Sequence, residues 1–187
     1  MNRRPFHSGG VVDGIDWDRW SVILCKPDAV ERGLVDQVLA RFSALPETTI
    51  IGQRNVTVRA WQIHVHYWDL LVDADWYDRD MPACLDDMYV GKTVTVALAH
   101  GPRGTARALR KLLGHFDPSQ AQPGSIRADL GNDSLDAAIA ANRLVENLVH
   151  TSDDPDAARR DFGVWFGAGR RALLTDTVPA QPTSAGA

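Results

Sequence analysis

His150 is a residue of this chain that could act as a nucleophile. It follows a short apolar segment in NLVHTSDD, and Asp161 lies eleven residues further on, within the next predicted helix. We expect Asp161 to fold back and to accept a hydrogen bond from one ring nitrogen of His150. That bond would leave the other nitrogen free to attack, because an imidazole with an ordinary pKa of about 6.5 is largely neutral at pH 7. The alternative is a purely structural histidine at a strand end.

Three cationic side chains could bind an anion. Lys26 ends the apolar run WSVILC, where it could meet a ligand or extend into solvent, and Asp28 could cap the helix that follows. Arg110 lies in ALRKLLG and Arg127 in PGSIRADL. Guanidinium groups bind pairs of phosphate oxygens and neutralise charge during phosphoryl transfer, so both arginines are candidate phosphate ligands. The alternative is that they are ordinary solvated arginines.

The remaining histidines predict no metal site. His64 and His66 are two residues apart, a spacing that does not place them together on a helix, and His100 and His115 add no recognisable ligand pattern. The segment GPRGTAR contains two glycines but matches neither a P-loop nor GxGxxG. We therefore expect no metal that is held by the protein alone.

Composition indicates an ordinary globular protein. Of the 187 residues 44% are hydrophobic and 24% are charged, and the net charge of −4 argues against a general nucleic-acid surface. Cys25 and Cys84 are far apart, which predicts reduced thiols in the cytoplasm. No apolar run approaches the roughly 18 residues of a membrane helix. We expect a cytoplasmic protein with neither nucleic acid nor membrane as a partner.

The pattern of elements predicts an α+β fold, a ferredoxin-like α/β sandwich. The predicted strands are 20–25, 48–58 (with a bulge at its glycine), 92–100 and 147–150. The predicted helices are 31–44, one or two within 60–89, 104–114 and 153–166. Two crossing helices in this order are typical of a four-stranded antiparallel sheet with helices on one face. The polar passage of about 115–146 is typical of a functional loop.

The chain divides into three predicted parts. Residues 1–14 are expected to be a flexible N-terminal segment, and residues 15–170 a single folded domain. Residues 171–187 are rich in Pro, Ala, Thr and Ser, which predicts a disordered tail.

Several segments together resemble the nucleoside diphosphate kinases: KPDAVERGLV, HY, ALRKLLG…DP…QPGSIRADL and NLVHTSDD…WF, in the family's order across most of residues 20–166. The resemblance implies a ferredoxin-like sandwich and a homo-oligomer. It also implies a phosphotransferase acting on nucleoside tri- and diphosphates, in which a histidine carries the terminal phosphoryl group. Mg²⁺ bound with the nucleotide would neutralise the phosphates.

The resemblance implies a role for each matching catalytic residue. His150 would be the phosphorylated nucleophile. Tyr67 would lie beside it and Ser152 would support it. Asp161 falls where the family has a glutamate that orients the imidazole.

It likewise implies a nucleotide-binding set. Lys26 and Asn147 would contact the ribose hydroxyls and nearby phosphate, and Arg110 and Arg127 would clamp the phosphates. Phe116 falls where the family has a threonine that binds phosphate, so one polar contact is lost.

Other departures from the family surround the same cleft. Thr151 replaces the glycine after the histidine, Glu146 replaces an arginine, and Asp161 is one methylene shorter than glutamate. The segment 128–146 is longer by roughly ten residues, which a surface insertion can accommodate. Losing one neutral hydrogen bond to phosphate would cost about 0.5–1.5 kcal/mol, so the chemistry is expected to survive with an altered substrate preference.

Two other functions stay open at this point. One is a nucleotide-binding module without turnover. The other is an enzyme that uses the same cleft for a different reaction on a nucleotide-like metabolite, with His150 as general acid or base. Acid-labile phosphate on the protein, and a need for an acceptor diphosphate, would separate these functions from phosphoryl transfer.

Overall fold

A four-stranded antiparallel sheet forms the centre of the structure, a computed structural model that describes residues 11–72 and 79–174. In chain order the strands are β1 (Val11–Val12), β2 (Ile15–Asp16), β3 (Trp20–Cys25), β4 (Thr49–Thr57), β5 (Thr93–His100) and β6 (Val149–Thr151). The central sheet has the order β4-β5-β3-β6, and β1 and β2 form a separate two-stranded hairpin. This strand order confirms the predicted ferredoxin-like fold.

The helices alternate with these strands. In chain order they are α1 (Pro27–Glu31), α2 (Val35–Ser43), α3 (Ala60–His66), α4 (Trp68–Val72), α5 (Met81–Tyr89), α6 (Thr105–Leu113), α7 (Ile126–Leu130), α8 (Leu135–Ala140) and α9 (Pro155–Trp165). The helix predicted at 31–44 forms only over α2, and Glu31 instead ends the separate helix α1. Gly33 between the two helices has a φ of +66°, a conformation that glycine adopts without strain. Asp154 caps α9, as predicted, by accepting a hydrogen bond from the N–H of Ala157 at 2.8 Å.

Helices pack against both faces of the sheet. The two crossing helices, α2 and α6, bury one face, whose core residues include Ile23, Cys25, Ala97, Phe42 and Leu109. Helices α3, α5 and α9 cover the other face, whose core residues include Val22, Leu24, Leu98, Ile63 and Phe162. The expectation of helices on one face was therefore incomplete. Every residue of β3 is buried, and a strand without a polar face needs cover on both sides.

The strand register brings the candidate nucleophile next to the central strand. Strand β6 pairs with β3 so that Leu24 lies opposite His150, and opposed residues of an antiparallel pair share one face of the sheet. His150 consequently points toward the layer formed by α3, α5 and α9. In β4 the pairing with β5 shifts between Ile51 and Arg54, which confirms the bulge predicted at the glycine.

The predicted limits at residues 14 and 170 stay a prediction. On either side of them the described chain continues in regular structure: β1 pairs with β2, and a 3-10 helix over Ala168–Leu174 ends on the buried Leu174. Residues 1–10 and 175–187 of the two predicted terminal segments lie outside the described residues. Within the part that the structure describes, no helix is long and apolar enough to cross a bilayer.

Two glycines that flank α6 provide a test of the fold. Both have positive φ, +84° at Gly104 and +80° at Gly114, but only an added Cβ at Gly114 would meet neighbours, with the Cβ of Ser125 at 2.7 Å. Gly104→Ala should cost about 1–2 kcal/mol of unfolding free energy, the backbone strain alone. Gly114→Ala should cost about 1–3 kcal/mol more, because its ψ of −171° lies in a region that only glycine adopts readily and because Ser125 is also displaced. Urea unfolding measures both, and equal losses would contradict the steric account.

Candidate active site

The site lies where β3 ends beside the start of β6. The backbone N–H of Lys26 donates to the carbonyl of Leu148 at 2.8 Å, and the N–H of Leu148 donates to the carboxylate of Asp28 at 2.9 Å. Leu148 has a φ of +70°, and the N–H of Val149 donates to the carbonyl of Asn147 across it at 2.8 Å. This is a strained γ-turn, which the contacts with Lys26 and Asp28 hold in place.

Asp28 does not cap α1, contrary to the prediction. Lys26 is the N-cap residue of α1, and no side chain there accepts a capping hydrogen bond. The carboxylate of Asp28 instead satisfies the buried N–H of Leu148, which would otherwise lack a partner. Asp28 therefore joins α1 to β6 at the site.

His150 is partly buried between two aromatic rings. Its ring centroid lies 4.7 Å from that of His66, with the planes at 82°, and 5.3 Å from that of Tyr67, at 64°. Burial, followed by the charges of His66, Lys26 and the nearby arginines, holds the pKa of His150 well below its ordinary value. The ring is therefore neutral at pH 7, as a nitrogen nucleophile must be.

Asp161 contacts His66 and not His150, which corrects the predicted hydrogen bond. Its Oδ1 lies 2.9 Å from Nδ1 of His66, and its Oδ2 accepts a hydrogen bond from the hydroxyl of Ser152 at 2.8 Å. Burial alone would raise the pKa of Asp161, but the charge and hydrogen bond of His66, with Arg160 and Ser152, lower it overall. The short side chain thus ends at His66.

Ser152 and Tyr67 lie near His150, as predicted, but they support it indirectly. The Ser152 hydroxyl is fully buried and accepts a hydrogen bond from the N–H of Val22 at 3.1 Å, while it donates to Asp161. The Tyr67 hydroxyl lies 2.9 Å from that of Tyr89, and burial raises the pKa of both phenols. Tyr67 therefore contributes its ring, and not its hydroxyl, to the packing around His150.

Lys26 and Arg127 are buried cations. Lys26 is 8% exposed, and its Nζ lies 5.9 Å from the centroid of the Tyr89 ring. Burial, followed by the charge of Arg127, lowers the pKa of Lys26 to about 8. Arg127 donates to the carbonyls of Asn147 (3.2 Å), Gly114 (3.2 Å) and Val149 (2.9 Å). Arg127 thus holds the two ends of the long loop together, and two of its five N–H groups are left for a ligand.

Arg110 is the more exposed arginine of the site. It donates to the carbonyl of Thr151 at 3.2 Å and forms an ion pair with Asp153. Arg110 bonds the carbonyl of Thr151 and Arg127 that of Val149, the residues on either side of His150, so the two guanidinium groups lie close to the imidazole. The structure thus places Lys26, Arg110 and Arg127 around the strand segment that carries His150, and their joint binding of a polyphosphate stays a prediction.

A mostly apolar cavity of about 340 Å³ opens beside Lys26, Tyr67 and Asn147. Its walls include Leu85, Met88, Phe116, Leu135, Ile139 and Leu144. Three of these, Leu135, Ile139 and Leu144, belong to the segment 128–146, which the resemblance implies is longer than in the family. Residues of this segment therefore form one wall of the cleft.

Asn147 and Phe116 lie at the mouth of this cavity. The side-chain amide of Asn147 donates to the backbone carbonyl of Phe116 at 2.7 Å, and its buried Oδ1 has no hydrogen-bond partner among the described residues. The Phe116 ring is 49% exposed and lies against His115, with ring centroids 4.6 Å apart. Asn147 thus offers a free acceptor to a ligand, and Phe116 an apolar surface.

The other departures from the family pattern are accommodated differently. Thr151 is fully buried, and its hydroxyl has no partner among the described residues. Glu146 is exposed, and its backbone N–H donates to Asp133 at 2.8 Å. The charge of Glu146 therefore faces solvent.

His66 is the site residue that the sequence analysis missed. The HVH spacing was interpreted correctly, because His64 faces Asp86 on α5 whereas His66 faces Asp161 on α9. The signal that could have found His66 is its position directly before Tyr67, in the HY pair. Its contact with His150 depends on how α3 packs against β6, which spacing does not reveal.

The comparisons with known proteins place this site in a family. A family model described as nucleoside diphosphate kinase matches residues 20–170. The nucleoside diphosphate kinase of Nocardioides sp. is 34% identical over 146 residues, which are 78% of this chain and 95% of that relative. Nucleoside diphosphate kinase 2, chloroplastic, of Spinacia oleracea is 35% identical over 85% of this chain, which spans only 59% of its length.

Solved structures agree. The NDP kinase from Pyrobaculum aerophilum has a TM-score of 0.68 at 29% identity, covering 79% of this chain and 95% of that chain. The enzyme from Borrelia burgdorferi, a transition state mimic with bound vanadate and ADP, has a TM-score of 0.72 at 24% identity, covering 80% and 88%. At that identity the second likeness supports the fold alone.

Two carboxylate–histidine pairs of equal length allow a controlled test of burial. His66–Asp161 and His64–Asp86 both measure 2.9 Å, but the first pair is 0% exposed and the second 34% and 43%. Asp161→Asn should lower the unfolding free energy by about 3–5 kcal/mol at pH 7, because it leaves buried partners unpaired. Asp86→Asn should cost less than about 1 kcal/mol.

The pH dependence of that loss has a defined sign. Because the pKa of Asp161 is lowered on folding, its contribution is present above the unfolded pKa of about 3.9 and disappears as the pH falls through the lower folded value. The difference between wild type and Asp161→Asn should therefore shrink below about pH 4. Urea unfolding at several pH values measures it, and equal losses for the two aspartates at pH 7 would contradict the prediction.

Proposed function

The chain belongs to the nucleoside diphosphate kinase family, and we propose on that basis that it transfers the terminal phosphoryl group of a nucleoside triphosphate to a nucleoside diphosphate through phosphohistidine at His150. Family membership supports phosphotransfer between nucleotides over a binding module without turnover, and over another reaction in the same cleft. The observation that supports the assignment to His150 is its position beside Lys26 and between the carbonyls that Arg110 and Arg127 bond, at Thr151 and Val149.

The transfer proceeds in two displacements. In the first, the lone pair of one His150 nitrogen attacks the γ-phosphorus, and the bond to the bridging oxygen breaks, so that the diphosphate leaves with the electron pair. In the second, the terminal oxygen of an acceptor diphosphate attacks the phosphorus of the phosphohistidine. The phosphorus–nitrogen bond then breaks and the free imidazole is restored.

The three cations neutralise charge on the transferred group. Lys26 and Arg127 are buried and fixed, so they are positioned before the substrate arrives. Arg110 is paired with Asp153 at a partly exposed position, so it can exchange that carboxylate for a phosphate at little cost. The buried cations thus position the phosphate chain, and Arg110 completes its binding.

The apolar cavity receives the nucleoside. Its apolar walls suit the faces of a base, and the unpaired Oδ1 of Asn147 can accept a hydrogen bond from a ribose hydroxyl. Lys26 lies at the same end of the cavity and leads toward His150. Phe116 offers a ring face where the family offers a hydroxyl, so it contacts the substrate through apolar surface.

Mg²⁺ arrives with the nucleotide in this proposal and supplies neutralisation of the phosphate charge. The described residues fit such an ion, because Asp153 is a half-exposed carboxylate beside Arg110, whereas the carboxylate of Asp161 is occupied by His66 and Ser152. Asp153 is the residue that would contact it.

A homo-oligomer and a cytoplasmic location remain part of the proposal. Four apolar residues on α3 and α4 are exposed, which is typical of a surface that another chain covers: Trp61, Val65, Trp68 and Val72. The thiols of Cys25 and Cys84 are free, as a reducing compartment requires.

Removing the nucleophile tests the reaction directly. After incubation with γ-labelled ATP, the wild type should carry acid-labile phosphate and pass it to an added diphosphate. His150→Gln should lose both by at least about 10⁴-fold, because no other group replaces the nucleophile, while nucleotide affinity changes by only a few fold. His64→Gln, on the surface of α3, is the control. Substantial transfer by His150→Gln would refute the assignment.

The buried lysine predicts the alkaline limb of the pH profile. Because its pKa is lowered to about 8, Lys26 carries its charge below that pH and loses it above, so kcat/KM should fall above about pH 8. The lowered pKa of His150 means that no matching fall occurs as the pH drops from 7 to its ordinary pKa of about 6.5.

Lys26→Arg keeps the charge at every pH, so its kcat/KM should stay level where that of the wild type falls, whatever its absolute value. Steady-state kinetics at constant ionic strength measure both profiles. Parallel alkaline limbs in the two proteins would show that another group is responsible.

A further inference from the structure

A buried carboxylate–histidine pair lies directly behind the nucleophile, and of its two members only Asp161 has a role that the family resemblance implies. Nδ1 of His66 lies 2.9 Å from Oδ1 of Asp161, and both side chains are completely inaccessible. The second carboxylate oxygen is held by Ser152, and Arg160 lies 3.4 Å from the first. Trp165 packs against the His66 ring at 5.5 Å. The orientation of His66 is thus fixed from α9.

The proton on His66 can be assigned from this pair. The lowered pKa of Asp161 keeps its carboxylate ionised, and an ionised carboxylate only accepts hydrogen bonds. The indole N–H of Trp165 also points at Nδ1 of His66, at 3.2 Å, but the carboxylate of Asp161 is the nearer and charged partner at 2.9 Å, which assigns Nδ1 as the donor to Asp161. When the ring carries a single proton, Nε2 then holds a lone pair. That nitrogen is buried and has no hydrogen-bond partner among the described residues.

The unpaired nitrogen belongs to the ring that packs on the nucleophile. The His66 and His150 centroids are 4.7 Å apart with nearly perpendicular planes, and a nitrogen of each ring and an oxygen of Asp161 lie within 4.8 Å of one another. No donor lies within hydrogen-bond distance of His66 Nε2 among the described residues, so a rotation of the His150 ring or one bridging water would have to close the gap. The other neighbours are occupied, because the Tyr67 hydroxyl pairs with Tyr89 and the Asp161 oxygens pair with His66 and Ser152.

We propose that His66 is the positioning residue for His150 in this chain: its Nε2 accepts the N–H of the nitrogen of His150 that does not react, and Asp161 acts through His66. This inference rests on the proposed function. It follows from the shorter side chain at position 161, whose carboxylate ends one imidazole away from the nucleophile. The carboxylate of Asp161, the imidazole of His66 and the nucleophilic imidazole of His150 then form a chain of hydrogen bonds in that order.

The proton count of the transfer is unchanged by this arrangement. When one nitrogen of His150 forms its bond to phosphorus, the other keeps its proton, and the ring becomes a phosphorylated imidazolium. The lone pair of His66 Nε2 faces that positive N–H, and the charge of Asp161 lies behind it. The electron pair of the broken phosphorus–oxygen bond leaves with the diphosphate, so no further reactant is needed.

His66→Phe keeps a ring at this position and removes both nitrogens. We expect kcat for phosphoryl transfer, and the single-turnover rate of phosphohistidine formation, to fall about 10- to 100-fold, with KM within about threefold of wild type. His64→Phe removes the same side chain from the same helix and breaks the exposed pair with Asp86, and it should leave kcat within about twofold. A kcat for folded His66→Phe within twofold of wild type would overturn the proposal.

A measurement on the unmodified protein covers the case in which His66→Phe does not fold. Nitrogen-15 NMR of labelled histidines should show His66 protonated at Nδ1 and unprotonated at Nε2. Phosphorylation of His150 should shift the Nε2 resonance of His66, while both nitrogens of His64 stay unchanged. A proton on Nε2 of the free protein, or an Nε2 resonance that does not respond to phosphorylation, would overturn the role of His66.

The two levels of the proposal fail in different ways. If the wild type forms no phosphohistidine with γ-labelled ATP, the phosphotransferase assignment fails, and the role of His66 fails with it. If the wild type transfers phosphate and His66→Phe does so equally well, only the role of His66 fails.

Discussion

The concentration of positive charge around one uncharged imidazole is the constraint on which the site depends. Lys26 and Arg127 are buried, and burying cations is unfavourable unless other groups compensate. Three backbone carbonyls do so for Arg127, and burial makes Lys26 easier to deprotonate. Burial, followed by the same charges, lowers the pKa of His150. A bound polyphosphate would provide the cations with the polar contacts that they lost when they were buried away from water. The His150 ring would meanwhile remain a nucleophile.

Much of the fold could be predicted because it depends on local pattern. The apolar run that became β3 has the predicted limits of residues 20 and 25, and the glycine of β4 lies at the predicted bulge. The second helical layer was not predicted, because the 60–89 region was recognised only as helical, without a direction of packing. The hydrophobic pattern predicts which residues are buried. It does not predict which face of the sheet is covered by the helices of a long connection between two strands.

The site shows the same difference between features that local sequence predicts and features that depend on packing. His150, Lys26, Arg110 and Arg127 were identified by residue type and motif, and the structure brings them together. The partners of Asp28 and Asp161 were wrong in detail, because a carboxylate bonds whichever donor lies within about 3 Å. A side chain shorter by one methylene, or a small rotation of the helix that carries it, changes which donor lies within that distance. His66 was passed over because its role depends on the contact of α3 with β6.

The γ-turn at Leu148 has a consequence for how this cleft tolerates change. The height of His150 above the sheet is set by main-chain contacts, since Leu148 is held through its own carbonyl and N–H by Lys26 and Asp28. Side chains that line the cleft without bonding the His150 ring can therefore be exchanged without moving the backbone of His150. Because the γ-turn anchors the backbone of the nucleophile, the residues that line the cavity can differ between proteins of the same fold. Phe116 and the wall formed by α8 are such residues, and changes there alter which acceptor the cleft binds.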